Sequence, residues 1–269
     1  MSTADTIKLN EAGGAAGVGP RLHHFTVDEY RRMGDSGVLP KDDPVELLDG
    51  YLFIKLDSGP PYDVPLGIPH ESFAGREVPQ FPQRKFTVRE YRRLMDAGIF
   101  HPALRTELVE GWVIDKMTRG PRHDSCLQRS AEALQKRLSD RSRIRLQSAI
   151  VLDDGEPEPD LVIVPGPAGR FDHEHPRPHE VVMLVEIADS TLQYDRGPKL
   201  RDYARNGIAQ YWIVDLLSRT VEIYQNPSGA TDLPRYGLLN AFAPGQSIPL
   251  NIGQEQLQPI SVDELLPSS

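Results

Sequence analysis

Cysteine is nearly absent from this chain. Cys126 is the only one in 269 residues, so no disulfide can close within a molecule, which fits a reducing compartment. Long apolar runs are missing too. No uninterrupted stretch approaches the ~20 residues a helix needs to cross a bilayer, which argues against a membrane protein. The first twenty residues are small, polar and rich in Gly and Ala, without the apolar centre of a signal peptide. The expectation is a disordered tail over 1–22 on a cytoplasmic protein. An excess of basic charge is also lacking. With 30 Lys and Arg against 39 Asp and Glu, the net charge is −9, which disfavours a protein that coats nucleic acid indiscriminately. His173, His175 and His179 have neither the HExxH spacing nor a cysteine partner of a zinc site, and they read as part of a surface loop.

What is present begins with a repeat. Residues 25–55 align without gaps to residues 86–116 at an offset of 61, with 13 of 31 positions identical. In each copy a threonine, Thr26 or Thr87, stands three residues before a glutamate, Glu29 or Glu90, which is the capping-box signature of a helix start. Gly37 or Gly98 ends that helix. An apolar hairpin follows, turning at Asp49-Gly50 or Glu110-Gly111. Two copies are too few for a solenoid. Residues 57–85, rich in Pro and Gly, read as a linker. The expected organisation is a tail (1–22), a truncated repeat (23–56), the linker (57–85) and a main domain (86–269).

The main domain reads as mixed α/β. From Pro121, the residues Cys126, Leu127, Ala131, Leu134 and Leu138 form one apolar helical face. A strand is expected over 144–152, then a turn at Asp153-Asp154-Gly155, then two buried strands over 159–164 and 181–187. A helix is expected over 198–206, with Pro198 in its first turn and Gly207 at its end. A hairpin over 210–215 and 220–225, a short strand over 247–250 and a helix over 262–266 complete the pattern. Arg119, Arg122, Arg129, Lys136, Arg137, Arg141, Arg143 and Arg145 form a basic stretch that reads either as a phosphate track or as a solvated face. Tyr211 and Trp212, which offer rings for base stacking, sit in an apolar strand where core packing is the better expectation.

Three acid/base residues stand on these elements. Asp160 opens the run Leu161-Val162-Ile163-Val164, Glu186 closes the run Val181-Val182-Met183-Leu184-Val185, and Lys199 follows on the next helix. A carboxylate at the end of a buried strand is costly unless a cation or hydrogen-bond donor compensates it. Two such acids and a lysine form a minimal set for metal-assisted phosphodiester hydrolysis. Taken singly, Asp160 after a proline also reads as a turn-to-strand junction, and Glu186 as a solvated rim residue.

The stretch from Phe86 to Tyr224 resembles the Uma2 family of endonucleases, a branch of the PD-(D/E)XK nuclease superfamily. The resemblance rests on Arg105-Thr106-Glu107-Leu108-Val109-Glu110-Gly111, Pro121-Arg122-His123, Glu158-Pro159-Asp160-Leu161, Val185-Glu186-Ile187-Ala188-Asp189, Tyr194-Asp195-Arg196-Gly197-Pro198-Lys199, Tyr203-Ala204-Arg205-Asn206-Gly207 and Gln210-Tyr211-Trp212. It implies a restriction-endonuclease-like core of helix, three strands, helix and strand. It also implies that Asp160 and Glu186 face one another and hold Mg²⁺ or Mn²⁺, with the Ile187 carbonyl as a third oxygen. Where the superfamily pattern has a lysine two residues after the strand glutamate, this chain has Ala188, and Lys199 matches the family's lysine on the next helix. Glu107 matches the family's hairpin glutamate. His123 and Asp195 are accessory candidates, although helix packing and helix capping suit them slightly better. Glu46, the counterpart of Glu107, has no partner set and is assigned no chemistry.

The implied activity is metal-dependent cleavage of DNA, with a homodimer as a simple route to cutting both strands. The competing reading is a catalytically silent module that binds nucleic acid or protein on a nuclease scaffold.

Overall fold

The computed structural model describes residues 20–55, 83–253 and 255–268. Most of the expected tail and linker lies outside these residues. At their described ends both expectations are corrected. Arg21–Leu22 form a strand, β1, and Gln83 forms a β-bridge to Phe53.

Each repeat folds as its capping box predicts. Helix α1 (Val27–Asp35) follows β1, and the hairpin β2 (Val45–Leu48) and β3 (Tyr51–Ile54) comes next. In the second copy α2 (Val88–Asp96) precedes β4 (Thr106–Val109) and β5 (Trp112–Asp115). Both threonines accept the N–H of their glutamate, and both glutamates reach back to the threonine N–H. The hairpin turns place Asp49 and Glu110 at φ 47° and 51°, followed by glycines at 79° and 80°. That pair of left-handed residues matches the strand twist.

The main sheet has six strands in the order β11-β10-β9-β8-β7-β6. Helix α3 (Pro121–Gln135) leads into β6 (Ser142–Leu146), β7 (Leu161–Pro165) and β8 (Met183–Ala188), which pair antiparallel. A helical crossover then returns the chain to β9 (Gln210–Asp215), which lies parallel to β8. The crossover consists of α4 (Leu192–Tyr194), a π-helical turn (Asp195–Lys199) and α5 (Leu200–Arg205). Strands β10 (Thr220–Pro227) and β11 (Tyr236–Phe242) extend the sheet antiparallel. The hairpin β12 (Ser247–Ile252) and β13 (Glu255–Ser261) and helix α6 (Val262–Leu265) finish the chain. This is the restriction-endonuclease-like core.

Strand periodicity divides the core. Leu161, Ile163, Met183, Val185 and Ile187 face α3 and the β12–β13 hairpin. Val162, Val164, Leu184 and Ala188 face the opposite side, where Tyr203 of α5 packs. Successive strand residues point to opposite faces. Asp160 and Glu186, both even-numbered, therefore fall on the α5 side.

Four elements differ from expectation. The strand over 144–152 stops at Leu146, because Gln147 adopts a left-handed φ of 47°. The crossover helix starts before Pro198. Having no N–H, this proline cannot make the regular helical bond, and it sits inside the π turn. Strands β11 and β13 had no forecast; five central residues of β11 are exposed, so no apolar alternation announces it. The basic stretch is largely structural. Arg122 donates to the Leu216 carbonyl, Arg129 to the Asp263 carbonyl, and Arg137 pairs with Glu264 at 2.7 Å. Arg122 ties the β9–β10 turn to α3, and Arg129 and Arg137 tether the C-terminal helix to α3 and its flank. Among the described residues no helix is long and apolar enough to cross a membrane.

Candidate active site

The register Leu161↔Val185 puts Asp160 beside Glu186 where β7 meets β8. Asp160 Oδ2 accepts the Ile187 N–H at 2.9 Å and contacts His123 Nε2 at 3.0 Å. His123 arrives from the first turn of α3. Its ring is buried and lies in the same pocket as the acids. Burial opposes ionisation of Asp160. The His123 bond and charge, the Ile187 N–H and Lys199 outweigh that and hold the carboxyl below its usual range.

Glu186 is 4% exposed. Its Oε1 accepts from Lys199 Nζ at 2.8 Å and from the Tyr203 hydroxyl at 2.9 Å. No hydrogen bond to Oε2 is found among the described residues. Burial pushes the Glu186 carboxyl up to about 8; Lys199 pulls it down, while Asp160, Asp195 and Glu107 add to the rise.

Lys199 reaches these acids because of the π turn. Tyr194, Lys199 and Tyr203 are spaced by five and then four residues, the repeats of a π turn and an α turn, so they share one face. Burial favours neutral Lys199, but Glu107, Glu186 and Asp195 override it and raise its pKa, which fixes the ammonium form. Nζ is 3.5 Å from Glu107 Oε1 and 5.5 Å from the centroid of the Tyr194 ring.

Glu107 enters from the β4–β5 hairpin. It is 2% exposed, accepting from the Tyr194 hydroxyl and the Glu158 N–H, both at 3.0 Å. Lys116, at the end of β5, lies 3.7 Å away. Burial works against its charge, but Lys199, Lys116 and these two bonds hold Glu107 low. Its repeat counterpart Glu46 is only half-buried. Asp195 accepts from the Thr191 hydroxyl at 2.5 Å and lines the pocket near Lys199; burial lifts its carboxyl to about 6, against Lys199 and Thr191.

Asp189 and Ser190 also line the pocket, as do Lys116 and Arg119. Tyr194, Tyr203, Thr191 and Lys116 carried no assigned role in the sequence. The two tyrosines are findable only once the π turn is known. His173, His175 and His179 lie exposed in their loop, and Tyr211 and Trp212 are core residues.

The donors suit a hard divalent cation. Four buried carboxyl groups (Asp160, Glu186, Glu107 and Asp195) lie around the Lys199 ammonium, and the rise at Glu186 and Asp195 comes first from burial, with the neighbouring carboxylates adding to it. Carboxylate and carbonyl oxygens favour Mg²⁺ or Mn²⁺ over softer ions. Among the described residues no group of three or more His, Cys, Asp or Glu side chains is placed to hold a metal ion as it stands. Asp160 Oδ2 and Glu186 Oε1 are committed to protein donors, and Asp160 Oδ1 accepts from Gln147 Nε2 at a long 3.5 Å, so binding requires Glu186 Oε2 and displacement of the Gln147 amide from Asp160 Oδ1.

A family model, Uma2, described as "Putative restriction endonuclease", matches residues 88–263. Among solved structures, the chain is similar to one described as a putative nuclease belonging to DUF820 from Anabaena variabilis ATCC 29413. The two are 15% identical with a TM-score of 0.52, and the match covers 67% of this chain and 97% of that one. At this identity the likeness concerns the fold. No curated protein matches. A single model spanning well over half the residues, from α2 through α6, includes every element that supplies the pocket's acids and its lysine, and the chain belongs to the Uma2 family.

Proposed function

We propose that this protein is a metal-dependent endonuclease that hydrolyses phosphodiester bonds in DNA. The observation that carries the reading is Lys199 Nζ, delivered by the crossover helix to 2.8 Å from the β8 carboxylate Glu186 and 3.5 Å from Glu107. Asp160, Glu186 and the Ile187 carbonyl would hold Mg²⁺, with Mn²⁺ a substitute. When bound, the ion supplies charge neutralisation of the phosphate and a water of lowered pKa.

The chain's own groups do the rest. Lys199, held as ammonium, is a hydrogen-bond donor and does not take the water's proton. It orients the attacking water and offsets charge on the phosphate as the fifth oxygen approaches. Glu107 holds Lys199 from the far side and is a second carboxylate for the water or ion. His123 positions Asp160 through Oδ2, and Asp195 supports the Lys199 turn. Arg119, on the pocket wall, would meet phosphate oxygens, while Lys116 is held by Glu158 at 2.8 Å.

The test is incubation of supercoiled plasmid with purified protein and Mg²⁺ or Mn²⁺, beside an EDTA control and the Lys199→Ala variant. Metal-dependent nicking that vanishes in the variant is expected. Cleavage that survives Asp160→Ala, Glu186→Ala and Lys199→Ala refutes the mechanism. DNA binding by folded protein without cleavage favours the silent module.

A further inference from the structure

The two helix–hairpins contact each other in a pattern that repeats in both directions. Phe25 and Phe86, equivalent by the offset of 61, meet with ring centroids 5.7 Å apart. Arg32 donates to the Gly98 carbonyl at 2.7 Å, and its image Arg93 donates to the Gly37 carbonyl at 2.6 Å. The N–H of His23 bonds the Val113 carbonyl at 2.9 Å, and the N–H of Arg84 bonds the Leu52 carbonyl at 2.7 Å. Leu22 pairs with Ile114 in the second hairpin, and Gln83 pairs with Phe53 in the first. Each of these contacts has its counterpart 61 residues along, with donor and acceptor exchanged between copies.

Reciprocity of this kind, in which i meets j and the image of j meets the image of i, is the mark of a twofold interface. Here the interface is internal. Each copy lays its leading segment along the other's hairpin, as the strand β1 in one direction and as a single bridge at Gln83 in the other, and Met33, Val38 and Leu39 share one apolar core with Leu94, Ile99 and Phe100. The copies then diverge in use. Glu110, in the second turn, is tied to Arg201 at 2.7 Å and to Arg205 at 3.3 Å, which docks that hairpin on α5. Its image Asp49 is exposed.

We infer that the first helix–hairpin is a resident partner for the second, filling within one molecule the twofold-related place that another copy of the chain would otherwise occupy. The face formed by α2 and β5 is thereby closed to self-association. A tethered partner acts at an effective concentration near millimolar, on the order of 10³ above a micromolar second molecule. With that face closed, each molecule carries one carboxylate–lysine set and does not pair it with a second through α2 and β5. If the nuclease reading holds, it cuts one strand per encounter.

The test uses the full chain carrying Arg32→Cys and Ala97→Cys, treated with a short bismaleimide. Cys126 is buried and does not compete. Equal amounts of ¹⁵N-labelled and unlabelled protein are mixed, cross-linked and digested. Linked peptides of uniform isotope content, from one chain, are expected. Mixed-isotope links, or no link at all, overturn the inference. The image pair, Ser36→Cys with Arg93→Cys, repeats the measurement should the first variant fold poorly. Neither outcome depends on activity, so a protein that does not cleave DNA leaves this test intact. With active protein, nicked circles accumulate before linear product; linear product without a nicked intermediate overturns the single-strand consequence.

Discussion

Replacing Lys199 by methionine isolates the charge balance of the site. Methionine keeps much of the lysine volume, so the change removes an ammonium rather than opening a large cavity. In the wild type Nζ lies 2.8 Å from Glu186 Oε1 and 3.5 Å from Glu107 Oε1, and Lys199 is 4% exposed. Removing one partner of a buried ion pair leaves the other uncompensated, at a cost of about 3–5 kcal/mol. Glu186→Gln added to Lys199→Met removes the stranded charge, and its amide oxygen still accepts from Tyr203. The double variant should therefore regain part of the loss, with a coupling of roughly 1–3 kcal/mol.

The loss in the single variant also depends on pH. Without Lys199, the Glu186 carboxyl rises beyond its already elevated position. An acid whose folded pKa exceeds its unfolded value of about 4.3 destabilises the fold at high pH. The penalty falls as pH drops through the folded value and disappears below the unfolded one. Urea unfolding of the four proteins in EDTA, at pH 8.5 and pH 5.5, measures both effects. A Lys199→Met variant as stable as wild type at pH 8.5, or strictly additive single changes, would refute the reasoning.

Three further outcomes are expected. Asp202 is fully buried; burial, together with Asp154 and Glu110, raises its carboxyl well above the usual range, so the fold loses stability as pH rises toward that value. Asp202→Asn mimics the protonated form and should stabilise the protein at pH 8 relative to pH 4, read as a pH-dependent shift in melting temperature; an equal shift at both values contradicts the assignment. A Cβ on Gly155 would stand 2.7 Å from Asp202 Oδ2 and 3.0 Å from the Leu108 carbonyl, so Gly155→Ala should cost about 1–3 kcal/mol in urea unfolding, and a neutral result would show that the hairpin moves freely. Burial pushes the Cys126 thiol up to about 12, with Asp160 adding to it against Ser130; labelling by a thiol reagent should follow global unfolding in denaturant, and prompt reaction of native protein would place the α3 face in solvent.

Local signals fixed the repeats. The Thr-x-x-Glu boxes and the Asp-Gly and Glu-Gly turns act within four residues, and both appear where the sequence puts them. Strand alternation was legible within each strand, but the register Leu161↔Val185 is what sets Asp160 beside Glu186 on one face, an adjacency the sequence supplied only through the family resemblance. Their pairing with Lys199 is a different matter. It depends on the π turn around Pro198, and the two tyrosines that complete it gain their roles only through that geometry.

The basic stretch on and after α3 shows the opposite limit. A charge run carries no record of its partners, and here Glu264 and carbonyls more than ninety residues away take up several of its guanidinium groups. β11, with five exposed residues, has no apolar period to betray it, and only its pairing with β10 defines it. The sequence by itself determined the elements whose signals are local or periodic, and the identities of the acids and the lysine. Tertiary structure alone decided which charges meet, because burial and ion pairing arise from long-range contacts. The same long-range contacts set the two repeats face to face.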